Sequence, residues 1–132
     1  MKYTKSKIKK AFKYRLLVNK KAAEIICKTL LLLPNEMIDF VTNHCWFVGS
    51  MDDSWGLTLK AKDLNKKDYL IFLSDELLSE STDQIKFTIL HELGHVILKH
   101  KNSIGITQSK SEIKKQEKEA DEFAKLYLKI NS

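Results

Sequence analysis

The sequence predicts an α+β fold: N-terminal helices, a small and mainly antiparallel three-stranded sheet, and two C-terminal helices. Three observations carry this. Apolar residues recur at helical spacing up to Pro34. Short aromatic and β-branched segments follow between residues 45 and 73. Helical periodicity returns after Ser74. A length of 132 residues suits one domain over 1–132. Such a chain can bury roughly two-thirds of its unfolded surface, enough for a core without covalent staples.

In chain order, residues 4–17 read as a basic amphipathic helix around Ile8, Phe12, Leu16 and Leu17. Residues 19–33 read as a second helix, with Ala22, Ala23, Ile26, Leu30 and Leu33 on one stripe. Pro34 ends it, and Asn35 is the expected N-cap of a short helix from Glu36 to Asn43. Three strand candidates come next: Cys45 to Val48, Trp55 to Lys60, and Tyr69 to Leu73. The polar turns between them, at Gly49 to Ser54 and Asp63 to Asp68, are short and imply antiparallel pairing. Ser74 can cap a short helix through Leu78. Ser81 or Thr82 can cap a longer one from Asp83 to about Lys99. Asn102 to Gln108 reads as a loop, and Ser109 or Ser111 opens a last helix to about Ile130.

Composition narrows the class. Two cysteines, Cys27 and Cys45, form no C-x-x-C pair and are too few for a disulfide framework. The longest apolar run, Leu30 to Leu33, is far short of the ~20 residues of a membrane span. The early lysines lead into no long apolar stretch of the secretory kind, so a cytoplasmic location is expected. The net charge is +6, but it is uneven. Residues 1–21 carry nine basic side chains and no acidic one, and the rest of the chain is net −3. Such an arm suits contact with nucleic acid or an acidic partner, and equally a solvated helix face. Because no aromatic stacking series or DNA-binding signature accompanies the charges, nucleic acid is not favoured.

The chemistry concentrates at His91-Glu92-Leu93-Gly94-His95, an H-E-x-x-H pattern inside the predicted helix. Histidines four apart on a helix differ by about 40° in direction and about 6 Å in rise, so both rings reach one point beside it. Neutral imidazole ligates Zn²⁺ at about 2.0–2.1 Å. Glu92 points about 100° from His91, which suits it to take a proton from a water rather than to bind metal. Ile89, Leu90, Leu93, Val96, Ile97 and Leu98 make the helix apolar almost all round, so two histidines and a glutamate there need partners. Gly94 fits the close approach of another backbone, at about 1 kcal/mol of helix propensity.

A catalytic zinc site wants a third protein ligand and an open position. His100 lies about 180° around the helix from His91 and cannot face the same ion. His44 has no motif around it and reads as structural or solvent-facing. The last helix offers Glu117, at the centre of a stripe formed with Ala120 and Ala124, and Glu119 on its flank. A carboxylate on a core-facing stripe is costly without a positive partner, which makes Glu117 the expected ligand and Glu119 the alternative. Asp121, one turn beyond Glu117, can accept the free ring N–H of a ligating histidine.

Residues 91–100, His-Glu-Leu-Gly-His-Val-Ile-Leu-Lys-His, with Glu-x-Glu-Ala-Asp-x-Phe-Ala at 117–124, resemble the ImmA/IrrE metallopeptidase family. The Tyr69 to Leu73 strand, the Ser74 to Leu78 turn and Phe87-Thr-Ile-Leu look similar too, so the likeness spans about 69–128. The resemblance implies a zincin-type active-site helix and a C-terminal ligand helix. It implies one gluzincin-like zinc ion per chain on His91, His95 and a helical glutamate, with Glu92 as base. It also implies a role in transcription, because members of that family act on helix-turn-helix repressors of phages and mobile elements. The expected function is therefore a zinc-dependent endopeptidase acting on a repressor. The alternative is a regulatory binding module with a structural zinc site, which engages a repressor or nucleic acid without proteolysis. The oxyanion donor is not identified by the sequence; Tyr127 and His44 are the candidates.

Overall fold

The computed structural model describes residues 2–49, 68–98 and 109–130. The first helix, α1 (Lys5–Phe12), is opened by Thr4, whose hydroxyl accepts from Lys7 N at 3.2 Å. Ile8 and Phe12, one turn apart, are fully buried, and burial of side chains this size contributes about 1.5–3 kcal/mol each. The expected helix over 4–17 is thus too long. Lys13 takes φ 57° and turns the chain, and Leu16–Leu17 form strand β1 instead.

In α2 (Lys20–Leu30) the Asn19 side chain accepts from Ala22 N at 2.8 Å. The predicted stripe Ala22, Ala23, Ile26 and Leu30 is buried. Leu32 and Leu33 close a tight turn onto Thr29 O and Leu30 O. Pro34, not Asn35, is the N-cap residue of α3 (Asn35–His44), and it makes no side-chain capping bond. Proline needs no hydrogen bond at that position, since helix-start N–H groups have no intrahelical partner.

Strand β2 (Cys45–Val48) runs directly on from α3, and β3 is Tyr69–Phe72. The sheet order is β1-β2-β3, and both pairings are parallel. Cys45 faces Tyr69 and Val48 faces Phe72, while Leu16 faces Phe47. The expectation of a mainly antiparallel sheet is overturned. Two helices, α2 and α3, carry the chain from β1 back to β2, the crossover that parallel strands require. All four residues of β2 are buried, which is the continuous apolar signature of a parallel strand covered on both faces. The predicted Trp55 to Lys60 strand, the turns around it apart from Gly49 and Asp68, and the Asn102 to Gln108 loop lie outside the described residues.

Helix α4 (Asp75–Leu78) begins at Ser74, which accepts from Leu77 N at 3.1 Å. Ser81 accepts from Gln84 N at 3.2 Å and opens α5 (Thr82–Ile97). Ser109 accepts from Glu112 N at 3.1 Å ahead of α6 (Lys110–Ile130). The buried face of α5, including Ile85, Ile89, Leu90 and Leu93, joins the core built by α1, α2 and β2. Helix α6 packs along α5 and adds Ala120, Phe123 and Ala124 to the interior. No described helix is long and apolar enough to cross a membrane.

Candidate metal centre

The site lies where α5 and α6 touch. His91 and His95, one turn apart on α5, hold their rings nearly perpendicular, with centroids 4.8 Å apart. Their Nε2 atoms are 3.2 Å apart. Glu117 of α6 completes the cluster: Oε2 is 2.9 Å from His91 Nε2, and Oε1 is 3.2 Å from His95 Nε2. Among the described residues, His91, His95 and Glu117 bring their ligand atoms within 4.8 Å of one another, close enough to hold a metal ion.

The chemistry of this donor set can be tested against an ion. Ligands about 2.0–2.1 Å from a tetrahedral centre stand about 3.3–3.4 Å from one another; the two imidazole Nε2 atoms are 3.2 Å apart, and with one Glu117 oxygen the three ligand atoms lie within 4.8 Å of one another. On its other side, His91 Nδ1 lies 2.7 Å from Asp121 Oδ1. With the ring proton donated there, Nε2 carries a lone pair, pointed at a second imidazole and a carboxylate. Electron-rich atoms converging in this way suit a cation placed among them. The residues present therefore fit a zinc ion.

Burial within the site is graded. The His95 side chain is 6% exposed and that of His91 16%, while Glu117 is 55% exposed. Glu117 is thus not the core-facing carboxylate that its helical stripe suggests. It sits at the rim, because the N-terminal part of α6 extends beyond the body and leaves Ile113 46% exposed. One side of the cluster consequently faces solvent, as a site admitting a substrate needs. Glu92 follows His91 on α5 and is partly exposed. Glu119, the alternative ligand, is outside the group that converges. His100 lies outside the described residues.

His44 ends α3, immediately before β2. It packs against Phe40 with centroids 4.9 Å apart and the rings tilted by 46°, and its Nδ1 is 3.9 Å from Asp68 Oδ1. Asp68, which the sequence assigns to a polar turn, has a side chain only 3% exposed and accepts from Trp46 Nε1 at 3.1 Å. This partnership joins residues 22 apart, and neither residue's local sequence signals it.

A helix pair converging two histidines and a glutamate forms a site that could hold a metal ion. Residues 62–131, just over half of the chain, match the family model of Peptidase U49, and the chain belongs to that family of peptide hydrolases. No curated protein and no solved structure matches it.

Proposed function

We propose that this chain is a zinc-dependent endopeptidase that cleaves a helix-turn-helix transcriptional repressor in the cytoplasm and so derepresses phage or mobile-element genes. Peptide-bond hydrolysis follows from the Peptidase U49 family. The observation that carries the zinc reading is the convergence of His91, His95 and Glu117 with Asp121 behind His91. The repressor as substrate rests on the likeness of residues 91–100 and 117–124 to ImmA/IrrE peptidases.

In this reading His91, His95 and Glu117 hold the ion, and Asp121 fixes the His91 tautomer so that Nε2 faces it. Bound zinc supplies Lewis acidity and an acidified water. Glu92 takes the proton from the attacking water and passes it to the leaving amine.

The test is metal analysis of the purified protein, followed by incubation with the repressor encoded beside it. One zinc per chain is expected, with cleavage by the wild type and none by Glu92→Gln, whose amide cannot take a proton at neutral pH. Zinc binding with no cleavage of any repressor would favour the binding module. Undiminished cleavage by Glu92→Gln would remove the mechanism.

A further inference from the structure

Gly94 stands between the two histidines, in ordinary helical backbone, so no left-handed turn demands a glycine there. Its reason lies across the interface. A Cβ at Gly94 would come within 3.2 Å of Ala120 Cα, Phe123 Cβ and Phe123 Cδ1. The first is main chain and the second is fixed directly to it, so neither can swing aside as a side-chain tip could. Ala120 is fully buried and Phe123 nearly so, which leaves them little room to yield. Relief would come from α6 itself, by a few tenths of an ångström. Glu117 and Asp121 flank Ala120 on that same helix. A shift of α6 moves both carboxylates away from His91 and His95, in a site that tolerates only about 0.2 Å in its ligand distances.

We infer that Gly94 is a positioning residue: the missing side chain sets the α5–α6 separation that brings Glu117 and Asp121 onto the histidine pair. Helix axes approach as closely as the side chains at their contact allow, and here a glycine meets an alanine. The inference rests on the zinc reading, yet it concerns a residue that touches neither metal nor substrate.

The experiment measures zinc affinity by competition with a chromophoric chelator, alongside the thermal midpoint of the zinc-free protein. The wild type comes first; if it binds no zinc, the zinc reading itself fails. Given binding, Gly94→Ala should lose about tenfold or more in zinc affinity, the scale seen when groups supporting metal ligands are removed. Its zinc-free midpoint should fall far less than a defect of the whole fold requires, because alanine is the better helix former. With Co²⁺ in place of zinc, the visible absorption of Gly94→Ala should change in shape and intensity, as altered ligand geometry dictates. Ala120→Ser adds a smaller wedge from the opposite helix and serves if Gly94→Ala does not fold; a smaller loss of the same kind is expected. Wild-type zinc affinity and an unchanged Co²⁺ spectrum in whichever variant folds would overturn the inference.

Discussion

Asp121 Oδ1 lies 2.7 Å from His91 Nδ1, so one carboxylate on α6 sets both the tautomer and the ring orientation of a histidine on α5. The Phe87 ring, 6.4 Å from that of His91, packs on the imidazole from within α5. Glu117, one turn earlier on α6, meets the other nitrogen of the same ring at 2.9 Å. His91 is therefore held from both sides by one helix.

The first prediction follows from this hold. Asp121→Ala should weaken zinc binding about 10–100-fold, while Asp121→Asn, which keeps a carbonyl acceptor, should lose less. Competitive titration with a chelator measures both. Equal affinity in wild type and Asp121→Ala would show that the ring needs no such partner.

The second prediction separates two carboxylates that the sequence leaves in competition. Glu117→Ala should lose zinc and Glu119→Ala should retain it, because Glu119 is not among the atoms that converge. Metal content after dialysis decides, and the reverse pattern would make Glu119 the ligand.

What was legible in the sequence follows from how local each signal is. The spacing of His91 and His95 on a helix, and that of Glu117 and Asp121 on another, are properties of single elements, so side-chain periodicity finds them. The caps at Ser74, Ser81 and Ser109 are equally local. Strand direction is not. Cys45 to Val48 reads correctly as a strand, but its pairing depends on segments far away in the chain, Leu16–Leu17 and Tyr69–Phe72. The one warning was Cys-Trp-Phe-Val itself, which is apolar throughout rather than alternating. The early end of α1 was hidden for a different reason. Lys13 has good helix propensity, and only its surroundings impose the positive φ.

The third prediction exploits that residue. Lys13 is exposed, with φ 57° and ψ −115° at the C-terminal end of α1, where its N–H donates to Lys10 O at 3.1 Å. A side chain in this region costs about 1–3 kcal/mol. Glycine removes that cost but gives back about 0.5–1 kcal/mol through the freedom it gains when unfolded. Lys13→Gly should thus stabilise by about 1 kcal/mol and raise the thermal midpoint by a few degrees. Lys13→Val, β-branched, should destabilise. A lower midpoint for Lys13→Gly would mean that the lysine side chain contributes more than its backbone strain costs.

The fourth prediction concerns alkaline pH. Burial, with a smaller contribution from the nearby Asp68 charge, pushes the Cys45 thiol up from 9.0 to about 12. Burial also raises that of Cys27. At pH 7 a thiol titrating near 12 is ionised in about one molecule in 10⁵, so Cys45 should resist alkylation until the chain unfolds. The stability consequence has a definite sign. Between about pH 9 and 12 the unfolded chain releases the Cys45 proton while the folded chain keeps it, so unfolding becomes easier as pH rises. Below about pH 9 the thiol is protonated in both states and its contribution is constant. The Tyr3 hydroxyl, raised chiefly by its hydrogen bond to Asp39, adds a loss of the same sign. Denaturant midpoints from pH 7 to 11 should therefore fall, and fall less steeply in Cys45→Ala, whose small cavity lowers the whole curve but removes one titrating group. Tyr3→Phe separates the phenol's share. A Cys45→Ala curve parallel to that of the wild type would show that the thiol keeps an ordinary pKa in the folded protein.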